Sequence, residues 1–346
     1  MEELTKQQIA KYLLSYTTFF PFTKPSFINI GLTHRCNLRC KICETWKFGL
    51  KPENELKLFE LKKLIKEIGE WGGINVSFAG GEPLIRKQEL LECIKLAKKW
   101  NLVTHVTTNG QFIDRKTAEE LVSSGLDFLQ ISLDGVKEET NDYIRGSGTY
   151  KKAMKAIEEV KKAKEKFNSD LKLSITTVVT EKNLDELLEI VKMVKELDLH
   201  EVSFNPYNLD TSYTKEKNYE DDEFWIKKNS IPKLRRICKK LIEIKKEEGR
   251  IGTPFFMLRM MPDYFEKKLR FRDGICLAGF SYMYIKPNGD VDVCGKGPSL
   301  NVRKMPIKKI WYSLNFTKTR LNIMRCKRPC LMLCFPRIDL KSLLGE

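Results

Sequence analysis

Three cysteines in one short stretch constrain this chain more than any other feature. Cys36, Cys40 and Cys43 stand in a C-x3-C-x2-C spacing directly after the apolar run 27–32, which reads as a buried strand. The cysteines are therefore expected on the loop at the carboxyl end of that strand. Three thiolates on one loop can hold three irons of a [4Fe–4S] cluster and leave the fourth iron open. A closed zinc site needs a fourth ligand, and His34 stands too close to Cys36 in sequence to supply it.

A second motif follows a second strand-like run. Gly80, Gly81, Glu82 and Pro83 come directly after the run 74–79. Their distance from the cysteines, about forty residues, suits one βα repeat. The two glycines let backbone carbonyls approach a ligand closely, and proline stiffens the exit from the turn. Glu82 offers a carboxylate to a cation.

Taken together and in this order, the two motifs resemble those of the radical S-adenosylmethionine (SAM) superfamily. The resemblance implies that Cys36, Cys40 and Cys43 ligate a catalytic [4Fe–4S] cluster whose open iron binds SAM. Reductive cleavage of SAM then gives a 5′-deoxyadenosyl radical, which abstracts a hydrogen atom from a substrate. A low-potential electron donor such as ferredoxin or flavodoxin is implied as a partner. Ile42 departs from the family, which often has an aromatic residue there, so Trp46 is the candidate to cover the cluster.

The resemblance also assigns SAM-binding roles to other residues. The motif 80–83 is expected to receive the methionine amino group. Further candidates stand at or after the later strand ends: Asn109, Ser132, Asp134 and Arg145. Ser132 and Asp134 are assigned to the ribose or methionine end of SAM, and Arg145 to the methionine carboxylate. Thr177 and Asn183 follow as candidates on the fifth unit.

A regular alternation of strand-like and helix-like runs predicts the fold. The strand-like runs are 26–32, 74–79, 103–108, 128–133, 171–180 and 201–205. The helix-like runs are 56–71, 87–99, 115–123, 150–166, 184–197 and 233–246. Six βα units with β-branched strands indicate a parallel sheet covered by helices. The resemblance specifies this α/β fold as a partial (β/α)6 TIM barrel, in which chemistry lies at the carboxyl ends of the strands.

The alternation stops near Arg250, where glycine, proline and cysteine become more frequent. We therefore predict an N-terminal helical segment (1–25), a barrel core (26–249) and a small cysteine-rich α+β extension (250–346). The aromatic-rich N-terminal helix is expected on the outside of the barrel or at its open end.

The extension contains a second cysteine set: Cys276, Cys294, Cys326, Cys330 and Cys334. The first two flank a predicted hairpin whose turn lies at 287–290. This arrangement resembles the SPASM or Twitch extensions of the superfamily, which hold auxiliary Fe–S clusters. Five cysteines suit one auxiliary [4Fe–4S] cluster with one thiol to spare, which favours the shorter Twitch type. Which of the last three cysteines is spare stays open, and a structural zinc site is the alternative.

Four further residues with chemical potential fit structural roles instead. Cys93 and Cys238 lie on the apolar faces of predicted helices, as inert core thiols do. His105 lies inside a predicted strand and His200 lies directly before one.

The net charge of +16 is uneven along the chain. Most lysines alternate with glutamates on helix patterns, which is typical of a solvated surface. The segment 293–338 instead holds eleven Lys or Arg and no Asp or Glu. These cations either offset the negative charge of a cluster or bind an anionic substrate, and both readings stay open. There is no signal-peptide pattern and no apolar run of membrane-spanning length, so we expect a cytoplasmic protein with reduced thiols.

The leading hypothesis is a radical SAM enzyme assisted by an auxiliary cluster. Its substrate is either a peptide or protein, or a small molecule, lipid or cofactor precursor. A base in tRNA is a third candidate substrate, which only the positive net charge of the chain supports. The alternative to an enzyme is a basic zinc or Fe–S protein that binds nucleic acid without radical chemistry. It predicts steeply salt-dependent binding to nucleic acid.

Overall fold

Strands and helices alternate along the chain as the sequence predicts. The structure is a computed structural model, and it describes residues 5–208, 219, 221–269, 275–295, 297, 299–326, 330–331 and 337–338. The strands are β1 (Phe27–Thr33), β2 (Asn75–Gly80), β3 (Val103–Thr108), β4 (Phe128–Ser132), β5 (Lys172–Val179), β6 (Val202–Pro206), β7 (Ile275–Cys276), β8 (Tyr282–Ile285), β9 (Val291–Asp292) and β10 (Arg337–Ile338). The helices are α1 (Lys6–Thr18), α2 (Leu58–Trp71), α3 (Lys87–Lys99), α4 (Arg115–Ser123), α5 (Glu138–Arg145), α6 (Thr149–Phe167), α7 (Leu187–Glu196), α8 (Ile231–Glu248), α9 (Phe255–Phe265), α10 (Ile307–Trp311) and α11 (Leu314–Met324).

The first six strands form the predicted parallel sheet. They lie side by side in sequence order, from β1 to β6, and each pairs in parallel with the next. Alternate residues face the helices and are apolar, such as Ile28 and Ile30 in β1, neither of which is exposed. The predicted α/β partial barrel is therefore confirmed. Its carboxyl edge gathers the loops that follow β1 to β6.

The helices cover the sheet because each buries one apolar stripe. In α2, Leu61, Leu64, Ile65 and Ile68 recur at helical spacing and are buried. In α4, the Asp114 side chain caps the first turn by accepting a 2.7 Å hydrogen bond from the backbone of the third helical residue. No helix in the described part of the chain is both long and apolar enough to cross a membrane.

Several helices lie outside the predicted runs. The short helix α5 was not predicted, because only two of its eight residues, Tyr143 and Ile144, are apolar. Glu186 accepts hydrogen bonds from the backbone N–H groups of Val136 (2.7 Å) and Lys137 (3.1 Å), directly before α5 begins. A carboxylate at a helix N-terminus is favourable, so the fifth βα unit stabilises this helix from a distance in sequence.

The extension continues the sheet of the barrel. Strand β8 pairs in parallel with β1, and β9 returns antiparallel to β8, which confirms the predicted hairpin. The pairing with β1 was not predicted. It places Tyr284 beside Asn29. A Cβ atom on Gly31 would lie 2.6 Å from the Tyr284 hydroxyl, so a larger residue at this position of β1 would displace the Tyr284 side chain. The predicted division near residue 250 therefore separates two units that share one sheet.

Helix α1 packs on the extension. Its Tyr12 is buried against Leu277 and Phe280, which form a small core separate from that of the barrel. We expected this helix on the outside of the barrel or at its open end. The structure instead places its aromatic side chains against residues that follow β7, because those residues offer the matching apolar surface.

Candidate functional site

The cysteine loop leaves the carboxyl end of β1, as predicted. Cys36 and Cys40 are half-buried and Cys43 is exposed. The backbone N–H of Lys41 donates a 2.9 Å hydrogen bond to the carbonyl of Ile144, which ties the loop to α5. Burial raises the pKa of Cys40 to about 11, although the Arg145 guanidinium opposes the rise. The three thiols stand on one short loop, and as a donor set they fit the three protein ligands of a SAM-binding cluster.

The glycines of the second motif hold two strand ends together. The backbone N–H of Gly81 donates to the carbonyl of Thr33 (2.7 Å), and that of Glu82 donates to the carbonyl of Arg35 (2.8 Å). A Cβ atom on Gly81 would lie 2.1 Å from the Arg35 carbonyl oxygen. The close approach that these glycines permit is thus to the cysteine loop itself. The sequence predicted an approach to a ligand, which stays a prediction.

Glu82 is completely buried directly behind this contact. Its carboxylate accepts hydrogen bonds from the backbone of Leu84 (3.0 Å), from the Thr108 hydroxyl (2.8 Å) and from the backbone of Asn109 (2.8 Å). Burial raises the pKa of the Glu82 carboxyl, and these three donors oppose the rise. Pro83 begins the short 3-10 turn that follows. The geometry fixes Glu82 between β2 and β3, and its predicted contact with SAM stays a prediction.

Asn109 joins the end of β3 to the cysteine loop. Its side-chain N–H donates to Asn37 Oδ1 at 2.9 Å and lies 3.8 Å from Cys36 Sγ. The sequence singled out Asn109 as a strand-end candidate, and the structure brings it directly to the first cysteine. A donor to the sulfur favours the thiolate form that ligates iron.

Asp134 and Arg145 form a buried ion pair beside the same loop. The atoms Oδ2 and Nε are 2.7 Å apart, and the two side chains are 0% and 11% exposed. The other carboxylate oxygen accepts a 2.7 Å hydrogen bond from the backbone of Val178. Burial lowers the pKa of Arg145, but Asp134 and Cys40 outweigh it and raise the pKa overall. Ser132, at the end of β4, is half-buried. The SAM-binding roles assigned to these three residues stay predictions.

Two lower-ranked candidates stabilise loops. The Thr177 hydroxyl donates to the carbonyl of Leu133 at 2.6 Å. The Asn183 side chain donates to the carbonyls of Asp134 and Val178, each at 2.8 Å. Both residues therefore connect the β4 and β5 ends with the loop after β5. Trp46, the candidate cover, lies beside the third cysteine, where its indole N–H donates 3.0 Å to the Cys43 carbonyl.

A buried charged network behind the cysteine loop was missed by the sequence reasoning. Arg86 donates to the carbonyls of Leu32 and Leu56, each at 2.8 Å, and lies 3.6 Å from the Glu55 carboxylate. Glu55 also accepts a 2.5 Å hydrogen bond from the Thr33 hydroxyl. The network fixes the last residues of β1, from which the loop starts. Nothing local in the sequence distinguishes these charged residues from surface ones.

The inner face of the barrel is a second feature that was missed. Uncharged polar side chains occupy many of the inward positions of the six parallel strands: Asn29, Ser77, Thr107, Gln130, Ser174, Thr176, Ser203 and Asn205. We call this set the polar lumen. Hydrogen bonds across it join Thr107 to Gln130 (3.3 Å), Gln130 to Ser203 (3.4 Å) and Asn205 to Thr176 (2.9 Å). The alternation of short polar and aliphatic residues along these strands was the available signal.

Aromatic residues line the lower end of the lumen. His105 stacks on Phe128 with ring centroids 4.4 Å apart and lies 5.3 Å from Phe27. Burial lowers the pKa of His105 to about 4, so the imidazole is neutral at pH 7. The structural role predicted for His105 fits this packing.

The extension distributes its cysteines over separate elements. Cys276 lies in β7, Cys294 follows β9 with a φ of 57°, and Cys326 follows α11. Cys330 is half-buried, whereas Cys334 lies outside the described residues. Among the described residues, no three His, Cys, Asp or Glu side chains converge as they would around a single metal ion.

The remaining two cysteines fit the predicted inert role. Cys93 in α3 and Cys238 in α8 are buried in the main core. Burial raises the pKa of each thiol to about 12. A thiol of that pKa, surrounded by apolar side chains, is neither a ready metal ligand nor a nucleophile.

The basic segment of the extension is less uniform than its sequence suggests. Arg320 is fully buried, donates to the carbonyls of Gly279 (2.8 Å) and Trp311 (2.7 Å), and stacks near three aromatic rings. Arg303 pairs with Glu60 of α2 at 2.6 Å. These two cations therefore serve the packing of the extension and its docking on the barrel. The other described cations of the segment are exposed: Lys304, Lys308, Lys309, Lys318 and Arg325.

Comparison with known proteins agrees with both cysteine sets. Residues 30–201 match the family model of the radical SAM superfamily, and residues 276–335 match the SPASM iron–sulfur cluster-binding domain. The match is to the SPASM type, whereas the cysteine count favoured the shorter Twitch type. The number of auxiliary clusters stays a prediction.

Two relatives span most of the chain. The PqqA peptide cyclase of Bradyrhizobium diazoefficiens is 30% identical over 81% of this chain and 69% of its own length. The AdoMet-dependent heme synthase of Methanosarcina barkeri is 28% identical over 83% of this chain and 82% of its own. The crystal structure of Streptococcus suis SuiB bound to S-adenosylmethionine shares the fold, with a TM-score of 0.68 and 20% identity over 91% of this chain and 72% of that one.

These matches cover the cysteine loop, the barrel that presents it and the cysteine-rich extension. They decide against a zinc protein without radical chemistry, because the domain matched by the extension is an iron–sulfur one. The chain belongs to the radical SAM superfamily, and it is an enzyme that uses a [4Fe–4S] cluster, SAM and an auxiliary iron–sulfur cluster in a SPASM domain.

Proposed function

We propose that this enzyme modifies a peptide or protein. The observation that carries the proposal is the similarity to a PqqA peptide cyclase, which covers 81% of this chain. The electron for SAM cleavage would come from a ferredoxin or flavodoxin, in the cytoplasm, where thiolate ligands stay reduced. In this proposal Cys36, Cys40 and Cys43 hold the SAM-binding cluster.

The chain's own residues position the reaction. When bound, the cluster and SAM supply a 5′-deoxyadenosyl radical that removes hydrogen from the substrate. Asn109 and the glycine motif fix the cysteine loop, and the Asp134–Arg145 pair supports its far side. The candidates to contact SAM, in the roles that the family resemblance gives them, are Gly80, Gly81, Glu82, Pro83, Asn109, Ser132, Asp134 and Arg145. The auxiliary cluster would be held by four of the five cysteines of the extension.

The rim of the barrel has the mixed chemistry that a peptide needs. Tyr143 of α5 is 42% exposed, and its hydroxyl donates 2.5 Å to the Glu223 carboxylate. The Lys41 ammonium lies 3.3 Å from the centre of the Tyr143 ring, and that of Lys182 lies 5.2 Å from it. An aromatic ring, two cations and a carboxylate side by side can contact backbone amides and side chains of several kinds.

A tetrapyrrole is the second candidate substrate, favoured by the similarity to a heme synthase over most of both chains. A coproporphyrin carries several carboxylates, and buried carboxylates need cations or several donors. The rim offers Lys41 and Lys182, but the inward positions of the six described parallel strands carry no Lys or Arg except Lys172 at the lower end. The lumen is therefore a better match to a peptide than to a porphyrin.

The test compares the two substrate classes on one preparation. The enzyme is purified and reconstituted without oxygen, then given SAM and dithionite with either Fe-coproporphyrin III or a library of randomised synthetic peptides. We expect the peptides, and not the porphyrin, to raise 5′-deoxyadenosine formation above the level without substrate. A rise with the porphyrin alone would contradict the proposal.

A further inference from the structure

We propose that the polar lumen receives an uncharged, hydrogen-bonding side chain of the substrate peptide and rejects charged ones. This inference rests on the proposed function and adds the class of residue that reacts. It is carried by the position of the lumen, by its lack of charge and by two buried oxygens that have no donor.

The lumen begins directly below the cysteine loop. Asn109, which lies 3.8 Å from Cys36 Sγ, follows the last residue of β3. Thr107 of the lumen stands two residues earlier on the same strand, about 7 Å lower at the usual strand rise. The polar lumen is therefore one layer from the site that holds the cluster. A side chain that reaches past the loop enters it.

Apart from Lys172 at its lower end, the inward face of the six described parallel strands carries no charged side chain. The members of the lumen carry hydroxyl or carboxamide groups only. His105, the register partner of Ser77, is neutral at pH 7 because burial lowers its pKa to about 4. Above the lumen, the opposite charges of Asp134 and Arg145 pair with each other at 2.7 Å. Lys172 lies at the lower end, over the Phe128 ring at 4.8 Å. A charged side chain would lose its water here and meet no counter-ion, which is strongly unfavourable.

Two buried oxygens of the lumen have no hydrogen-bond partner in the part of the chain that the structure describes. They are Asn29 Oδ1 and Ser174 Oγ. Ser174 is 1% exposed, and its register partner on β4 is Gln130. A carboxamide oxygen without a donor is destabilising when buried, so Asn29 favours a ligand that brings an N–H or O–H group.

The aromatic layer limits how deep the substrate reaches. His105 stands two residues before Thr107 on β3 and stacks against Phe128 and Phe27. In register with this pair stand Asn29 and Ser77, and the inward residues Thr107, Gln130, Ser174 and Thr176 lie between it and the cysteine loop. The substrate residues that combine an uncharged side chain with a donor are Ser, Thr, Asn, Gln and Tyr.

The experiment follows deuterium from the substrate into 5′-deoxyadenosine. Randomised peptide libraries are prepared in three forms, with deuterium on the side-chain carbons of Ser, Thr, Asn, Gln and Tyr, of Asp, Glu, Lys and Arg, or of Leu, Val and Ile. Each is incubated with the reconstituted enzyme, SAM and dithionite. We expect deuterium in the nucleoside from the first library only. Deuterium from the second or third would overturn the lumen assignment and leave the peptide function standing.

The results that would refute the peptide function differ from those that would refute only the lumen assignment. If no library yields deuterium and peptides do not raise 5′-deoxyadenosine formation, the peptide function falls, and the lumen assignment falls with it. If peptides raise formation but deuterium enters only from backbone Cα–D of a fourth library, the peptide function stands and the lumen assignment falls.

A variant pair locates the effect in the lumen. Ser174→Asp places a carboxylate among the uncharged groups, and Ser123→Asp places the same group on the exposed surface of α4. Deuterium transfer from the first library is expected to fall at least about tenfold in Ser174→Asp, the effect of about 1.4 kcal/mol, and to stay unchanged in Ser123→Asp. Equal transfer by both variants, with both retaining the iron content of the unmodified protein, would overturn the proposal.

Discussion

The two cysteine sites of this enzyme are built in opposite ways. In the barrel, three cysteines lie within eight residues on one loop, and that loop is fixed by backbone hydrogen bonds to the neighbouring strand end and to α5. In the extension, the cysteines come from β7, from the residues after β9 and from the region after α11. Elements that lie far apart in sequence must meet there.

The barrel site is held in place by the fold itself, whereas the extension site is expected to depend on its bound cluster. Hydrogen bonds, a glycine contact and buried ion pairs hold the barrel loop without using its thiols. In the extension, we expect the thiols to join the short elements once they ligate the cluster, since β7, β9 and β10 are two residues each. Binding of iron and folding are therefore expected to be coupled in the extension and largely independent in the barrel.

The sharpest test of the barrel half is Cys40→Ala. We expect formation of 5′-deoxyadenosine to be abolished and about four irons per chain to be lost, while the unfolding temperature changes little. Product analysis, an iron assay and thermal unfolding provide the three readouts. As a control, Cys93→Ala removes a buried thiol of α3 and should keep both iron and activity. A large loss of stability in Cys40→Ala would show that the barrel loop also depends on its cluster.

The matching change in the extension is Cys294→Ser. It should also remove about four irons, but here the extension should become sensitive to limited proteolysis while the barrel stays intact. Mass spectrometry of the fragments locates the cuts. Cleavage confined to residues beyond about 275 agrees with the account. Unchanged protease resistance would mean that both sites are prepared by the fold.

A smaller effect is expected from Asp134→Asn. Removing the carboxylate leaves the buried Arg145 guanidinium without its partner, which costs about 3 kcal/mol of unfolding free energy. Glu119→Gln provides the control, because Glu119 pairs with the 81%-exposed Arg115 and such surface pairs contribute less than about 1 kcal/mol. Denaturant unfolding measures both. Similar losses in the two variants would contradict the role given to the buried pair.

The smallest effect concerns His105, and it is confined to acid. Its pKa is lowered from 6.5 to about 4 by burial, so the folded state resists protonation that the unfolded state accepts. The contribution is complete above pH 6.5 and falls away as the pH drops towards 4, by about 2–3 kcal/mol. His105→Gln should flatten this part of the pH–stability curve. The same slope in both proteins would show that other groups cause it.

The sequence predicted the barrel well because its signals are local. Each strand and helix of the six units has its own periodicity, and the motifs stand where strands end. The pairing of β8 with β1 joins residues about 250 positions apart and leaves no local trace. Helix α5 was missed for a related reason, since Glu186 of the next unit helps to hold its N-terminus.

The residues of the candidate site also divide into those that local sequence signals predicted and those that they did not predict. The cysteine loop, the glycine motif and Asn109 were found because residue type and strand-end position both point to them. Glu55 and Arg86 were missed because a buried charged pair looks like two surface residues in sequence. The polar lumen was missed although its signal was present, because the strands were recognised from their apolar residues and the polar residues between them were not considered.

The assignment of one cluster to the barrel and one to the extension is tested most directly by counting iron and sulfide per chain in the reconstituted protein and in the two cysteine variants. We expect about eight irons in the unmodified protein and about four in each of Cys40→Ala and Cys294→Ser, with 5′-deoxyadenosine formation lost in Cys40→Ala. About four irons in the unmodified protein, with none lost in Cys294→Ser, would contradict the assignment of a second cluster to the extension.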